Sequence, residues 1–325
     1  MFIIHLPEVI LAILFDLIIG DPDSRFHPVR LMGLGIERSK RTALRISKAR
    51  ASIQVLMGGL TLILLCTVSY MTIYLLCKAI SSVFGEGTVY WILTGFISSF
   101  SFAMKGLFKQ TRAVLKALPE TNEAKARLSM IVGRDTERLT LPGILRATIE
   151  TLSENLSDSI VAPIFYLIIG GPPLGFLYRM VNTLDAMVGY RDIENRYFGL
   201  IPARADDLLN LIPSRLTALL LILAGVLMKP FSSEITPLKA IKITCRDAHK
   251  HPSPNAGYPE AAMAGLLGIK LLGPMHYHGK MVEKPFLNPE GRQASPPDYF
   301  LAERLSIMAI IVYLAVLSSL WYLSQ

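Results

Sequence analysis

The chain of 325 residues is 52% hydrophobic and only 18% charged, with a mean hydropathy of +0.44, which excludes an ordinary soluble domain. Its net charge of +8 comes without any aromatic-interleaved basic module, so nucleic acid is not an expected partner. Cys66, Cys77 and Cys245 form no C-x-x-C pair, which argues against a disulfide framework or a zinc site.

The first apolar segment, 3–20, reads as a membrane span weakened by Asp16. The first basic residue, Arg25, comes after this segment instead of preceding it, so it does not read as a cleaved signal peptide. Gly20–Gly33 (G-D-P-D-S-R-F-H-P-V-R-L-M-G) then sets His27 and Arg30 among stiffening prolines. It suits either a polar site or a capped helix exit with a snorkelling arginine. Arg25–Arg50 carries eight Lys/Arg and one acid, Glu37, and by the positive-inside rule is cytoplasmic. Segments 53–77 and 87–104 are uncharged spans that form an out-and-back hairpin. The hairpin returns to Lys105–Arg146, a second basic loop with nine Lys/Arg against four acids.

In G-R-D-T-E-R-L-T (Gly133–Thr140), Arg134 and Arg138 either lie on a solvated helix face or hold phosphate bidentately. The next motif sets Glu150, Glu154 and Asp158 four residues apart, with Asn155 beside them. On a helix these carboxylates share one drifting face, where they repel and lose hydration near a bilayer. Such hard oxygen ligands suit Mg²⁺ that keeps its waters and bridges to phosphates. Segments 159–178 and 211–228 are short, and Gly170-Gly171-Pro172-Pro173 cannot continue a helix, so a re-entrant or broken segment lining a cavity is expected. Between them, Asn182, Asp185 and Arg191 join Arg204, Asp206, Asp207 and Arg215 as a further polar constellation. Arg246–Gly265 holds Arg246, His249, His251, Asn255, Tyr258 and Glu260 in what reads as a Pro/Gly-stiffened recognition or catalytic loop. Segment 302–324 is the last span. The expected fold is all-α: one membrane-embedded, polytopic domain with about four to six apolar helices, some re-entrant, and helical cytoplasmic segments.

These motifs in this order resemble the CobD/CbiB family, the adenosylcobinamide-phosphate synthases of cobalamin biosynthesis. The resemblance is carried by G-D-P-x-x-x-x-H-P-V-R (20–30), D-T-E-R-L (135–139), A-T-I-E-T-L-S-E-N-L-S-D (147–158), N-T-L-D-A-M-V-G-Y (182–190), A-R-A-D-D-L-L-N-L-I-P-S-R (203–215) and R-D-A-H-K-H-P-S-P-N-A-G-Y-P-E (246–260). It implies a multi-pass protein of the cell membrane with active-site loops on the cytoplasmic side. It also implies ATP-dependent amide formation between adenosylcobyric acid, a corrinoid, and aminopropanol or its phosphate. Such chemistry needs acidic metal ligands, arginines for phosphates and a base for the ammonium. Glu150, Glu154 and Asp158 are the expected Mg²⁺ ligands, and His249 the expected base. His27, Arg30, Arg134, Arg138, Arg191, Arg204, Arg215 and Arg246, with Asn155, Asn182, Asp185, Asp206, Asp207, Asn255, Tyr258 and Glu260, are expected to bind substrate. No Walker-type or kinase-type glycine loop is present, so the sequence does not reveal the mode of ATP binding. Two other classes fit the same pattern more loosely: a Mg²⁺-dependent intramembrane transferase for prenyl or lipid diphosphates, and a transporter built on broken helices.

Overall fold

The computed structural model describes residues 5–20, 24, 27–47, 50–189, 195–277 and 279–324. In chain order its helices are α1 (Leu6–Ile19), α2 (Pro28–Ser47), α3 (Ala51–Phe84), α4 (Thr88–Ser99), α5 (Met104–Lys116), α6 (Thr121–Ser129), α7 (Leu141–Leu156), α8 (Ala162–Val188), α9 (Leu200–Leu209), α10 (Leu211–Met228), α11 (Pro237–Asp247), α12 (Gly257–Leu267) and α13 (Pro296–Leu323). Among the described residues, Ala51–Phe84, Thr88–Lys116, Leu141–Val188, Leu211–Phe231 and Pro296–Leu323 are long and apolar enough to cross a membrane. The all-α, multi-pass expectation therefore holds. Four short strands, β1 (Leu271–Leu272), β2 (Met275–Tyr277), β3 (Lys280–Val282) and β4 (Phe286–Leu287), interrupt it with antiparallel pairs β1–β4 and β2–β3.

Within the expected single domain, two compact units are distinguishable. One comprises Met1–Met104, Ala162–Asn210 and Leu320–Gln325, the other Lys105–Val161 and Leu211–Ser319. In the first unit, α3 is 34 residues long, about 50 Å at 1.5 Å per residue, so it outreaches both the expected 53–77 and a hydrocarbon core of about 30 Å. One face of α3, with Gly58, Gly59, Thr61, Ser69, Ile73 and Cys77, is buried, while Leu60, Ile63, Leu64, Val68 and Leu75 stay exposed. That division is the one a lipid-facing helix needs. The expected span 87–104 falls within Thr88–Lys116 but is not one continuous helix: α4 ends at Ser99 and a turn precedes α5. Ser99 and Ser101 hydroxyls donate back to the carbonyls of Phe96 and Ser98 (both 2.7 Å), competing with helix continuation.

The break expected in 159–178 is present in α8. Gly170 (φ −143°) and Gly171 (φ +65°, ψ −166°) leave helical geometry, and Pro172 and Pro173 restart it. Leu167 packs against the Cα of Gly175, although eight helical residues would separate them by about 12 Å along a straight axis. The two halves of α8 therefore fold toward each other. A Cβ at Gly171 would also press into the His5 ring at about 3 Å, so glycine is required there for space as well as for φ.

In the second unit α12 is the buried centre: Gly257 and Pro259–Leu267 all lie inside, packed by α7, α10 and α11. Part of the stretch read as a stiff loop is thus a helix. Pro259 sits in its first turn, where the missing N–H costs nothing, and A-A-M-A-G-L-L then propagates it. Gly265 lets the Ala240 backbone of α11 approach closer than any Cβ would permit.

Substituting Gly265→Ala is expected to lower stability by about 1–3 kcal/mol because a Cβ must push α11 away. Gly35→Ala in α2, where the new methyl meets only a Leu65 methyl at ordinary contact distance, should be neutral or stabilising by up to about 1 kcal/mol. Thermal unfolding of the two variants in detergent checks this, and equal midpoints would refute the packing argument.

Candidate functional site

The motif residues of the second unit converge on one buried carboxylate. Glu150, in the middle of α7, accepts the Arg134 guanidinium at 2.5 Å on Oε2 and the Leu272 backbone N–H at 2.6 Å on Oε1. Arg146, one turn earlier, lies 3.7 Å from the same carboxylate. The Gly133–Thr136 loop is held to the β2–β3 hairpin: Asp135 N–H donates to the His276 carbonyl at 2.9 Å, and Asp135 Oδ2 accepts the Gly279 N–H at 2.7 Å. Burial works against the Arg134 charge, but the ion pair and hydrogen bond with Glu150 outweigh it and raise its pKa.

A second buried carboxylate faces the first. Glu260, in α12, is 2% exposed, and its Oε2 finds no hydrogen-bond partner among the described residues. Burial lifts its pKa well above the ordinary range, the negative charges of Glu150 and Glu154 add to this, and Arg134 and Lys284 oppose it. His251 Nδ1 is 3.0 Å from the Ser253 N–H and 3.3 Å from the Ser253 carbonyl. The shorter contact makes Nδ1 the acceptor and leaves the ring proton on Nε2, 3.7 Å from Glu260 Oε1. Burial lowers His251 to about 4 despite its contact with Ser253, so this imidazole is neutral at physiological pH. His249, the expected base, is exposed on the turn Ala248–Lys250, and His251 is the histidine beside the carboxylates.

Glu154 and Asp158 are half-buried. The regular four-residue spacing expected to align them stops at Leu156, because Ser157–Val161 is a π-helical turn whose extra residue rotates the helix beyond it. Among the described residues no group of three or more His, Cys, Asp or Glu is arranged to hold a metal ion. Glu150 has both oxygens committed, which leaves Glu154 and Asp158 of the three carboxylates expected to meet Mg²⁺. Asn155 bonds back to the Thr151 carbonyl at 3.0 Å.

Arg215 closes the loop before α12, donating to Asn255 Oδ1 at 3.2 Å and lying 3.9 Å over the Tyr258 ring. Ser253 Oγ accepts the N–H groups of Asn255 and Ala256, turning the chain into α12. Arg246 makes paired hydrogen bonds to Asp247 and to Glu290, all at 2.7–2.9 Å, and Asp247 also takes Lys250 and the Asn288 N–H. These bonds push the Asp247 pKa far below the usual carboxylate range despite its burial and spend the Arg246 fork on holding the fold. Arg138 is exposed, on the wall of a cleft of about 710 Å³ that Lys125 and Arg134 also line.

The first unit has its own polar cluster. Asp206 accepts Asn182 Nδ2 (3.3 Å) and Asn210 Nδ2 (2.9 Å), and Asn210 Oδ1 takes the Tyr178 hydroxyl at 2.9 Å. Burial, only partly offset by the two amides, raises Asp206 to about 6. Asp185 is half-buried, Arg204 is exposed and 3.6 Å from Asp207, His27 is buried with its ring 5.3 Å from Phe100, and Arg30 is exposed on α2. Arg191 lies outside the described residues.

The family model described as CobD/Cbib protein matches residues 9–306. The chain belongs to the CobD/Cbib family. It is 36% identical over 315 residues to the cobalamin biosynthesis protein CobD of Clostridium perfringens, covering 96% of each chain. It is 37% identical over 326 residues to the protein of the same name from Streptococcus sanguinis (97% and 96% covered), and 36% identical over 311 residues to the cobalamin biosynthesis protein CbiB of Salmonella typhi (94% of each). No solved structure matches. Sequence reasoning passed over Lys284 and Tyr277 of this CobD/Cbib chain. Lys284 Nζ donates to the Tyr277 hydroxyl at 2.9 Å and faces Glu260 and His251, yet nothing in K-M-V-E-K-P marks it before the hairpin folds.

Two outcomes test the electrostatics. Glu150→Ala should cost about 3–5 kcal/mol, because Arg134 is left buried without its partner. A Glu150→Leu/Arg134→Met double variant should recover much of that loss in detergent unfolding. Asp206 has its folded pKa raised to about 6 against an unfolded value of about 3.9. Its contribution is therefore complete below about pH 4 and is lost as pH rises toward 6, by up to about 3 kcal/mol. The thermal midpoint of Asp206→Asn relative to wild type should rise across that window; a pH-independent difference would contradict the assignment.

Proposed function

We propose that this chain acts in cobalamin biosynthesis as an ATP-dependent synthase that joins adenosylcobyric acid to aminopropanol or its phosphate through an amide. The single observation that carries the reading is the Arg134–Glu150 pair facing Glu260 and the neutral His251, in a member of a family whose curated relatives are named for cobalamin biosynthesis. A carboxylate is a poor acyl donor until its oxygen is phosphorylated, after which a neutral amine attacks the carbonyl carbon and phosphate leaves. Arg138, exposed on the wall of the 710 Å³ cleft, suits phosphate recognition, since its planar fork binds such oxygens in pairs. The amine arrives as an ammonium and must lose a proton. Glu260, whose basicity burial and neighbouring carboxylates raise, is suited to accept it, with His251 beside it. Mg²⁺, held by Glu154 and Asp158, would supply positive charge at the phosphoryl group in flight. The lipid-diphosphate transferase reading needs a carboxylate face turned wholly to metal, whereas Glu150 is turned to Arg134.

A strain lacking the gene is expected to accumulate adenosylcobyric acid, and the purified protein to form the amide only with ATP and Mg²⁺. Accumulation of any other corrinoid, or amide formation without ATP, would overturn the proposal. Orientation is tested with a native probe. Cys245 is exposed on α11, so a membrane-impermeant maleimide should label it in inverted vesicles and not in intact cells if the site faces the cytoplasm. Labelling in intact cells would separate the site from cytoplasmic ATP.

A further inference from the structure

A smaller cleft, of about 300 Å³, shares Arg138 with the larger one and reaches Arg146 beside Glu150. Its walls bring together Arg138, Arg146 and Lys270, and the only acid among its described lining residues, Asp135, is already bonded to the Gly279 N–H. Arg138 is exposed and has no ion pair or hydrogen bond among the described residues. Arg146 leaves its buried Nε without a hydrogen-bond partner, and its 3.7 Å contact with Glu150 is with a carboxylate already taken by Arg134. Lys270 Nζ and the Arg146 guanidinium lie 5.5 and 5.6 Å from the centroid of the Phe286 ring, so that ring holds two cations near each other without neutralising either. The same cleft takes in the start of α7, a sixteen-residue helix that no side chain caps. The first-turn N–H of Gly143 adds a donor, with the positive end of the helix dipole behind it.

We propose that this cleft binds a phosphate group, with Lys270, Arg138 and Arg146 as its cationic ligands and the α7 N-terminus as its backbone donor. Three cations gathered around an uncapped helix start, with a single engaged acid, repel one another until an anion enters. The volume suits a phosphoryl chain or a small phosphate ester rather than a corrinoid. Two sources share that chemistry within the synthase reading, on which the assignment of the anion rests: the polyphosphate tail of the nucleotide, and the phosphate of a phosphorylated aminopropanol.

Binding of tripolyphosphate and of O-phosphorylated 1-amino-2-propanol to the purified full-length protein in detergent tests the site. Lys270→Gln should weaken binding about tenfold or more, Lys270→Arg should restore it, and high salt should weaken it in every case. Should Lys270→Gln fail to fold, Arg138→Gln on the exposed rim serves the same purpose. Tighter binding of tripolyphosphate identifies the nucleotide tail, and tighter binding of the phosphorylated amino alcohol identifies the acceptor; both support a phosphate site. Failure of the wild type to bind either anion, or equal binding by the Gln variants, overturns it. Lys270-dependent phosphate binding without any amide product would sink the synthase reading and leave the site, whereas amide formation with Lys270-independent binding would sink only the site.

Discussion

Charge taken out of water has to be matched, and in a chain this apolar that requirement organises the rest. Glu150 is the clearest case. It is 1% exposed, and the Arg134 guanidinium and the Leu272 N–H together satisfy it. Those two bonds tie the loop after α6 and the start of the short strands to the middle of α7. Removing either partner would leave an ion in a low-dielectric interior, where its solvation is worth several kcal/mol. The geometry of the candidate site is therefore held by the same interactions that hold the fold.

Against that matched pair, Glu260 stands out as incompletely satisfied. One of its oxygens has no hydrogen-bond partner among the described residues, and the other is 3.7 Å from His251 Nε2, beyond hydrogen-bond length. The two buried carboxyls are treated differently: Glu150 is tied up by Arg134 and the Leu272 N–H, whereas burial and neighbouring carboxylates raise the proton affinity of Glu260. The π-turn at Ser157–Val161 adds to the local irregularity by changing the direction in which Asp158 leaves the helix.

The membrane sets the outer boundary of the same logic. The exposed faces of α3 and α10 carry Ile63, Leu64, Leu219 and Val226, while their buried faces hold glycines, serines and threonines that permit close helix approach. Where the backbone leaves helical geometry, at Gly170–Gly171, the break is enclosed by neighbouring side chains instead of facing lipid.

Composition and motif order were enough to establish the all-α, multi-pass character and the family, and the GGPP sequence announced the broken α8, because hydropathy and proline stereochemistry are local properties of the chain. Glu150, Glu154, Arg134 and Glu260 were legible as site candidates for a related reason: carboxylates and arginines set in apolar sequence are costly unless used. The partner of each one was not legible. The sequence pattern makes Arg134 a phosphate ligand and Glu150 a metal ligand, yet they bind each other across sixteen residues. Burial does not show in H-K-H, so nothing local sets the half-buried His251 apart from the exposed His249. Lys270, Lys284 and Tyr277 carry no local pattern at all. Which charge meets which is decided by long-range packing, in which β1–β4, α7 and α12 bring distant side chains within a few ångströms. Such pairing depends on distance and dielectric, and neither is written in the order of the residues.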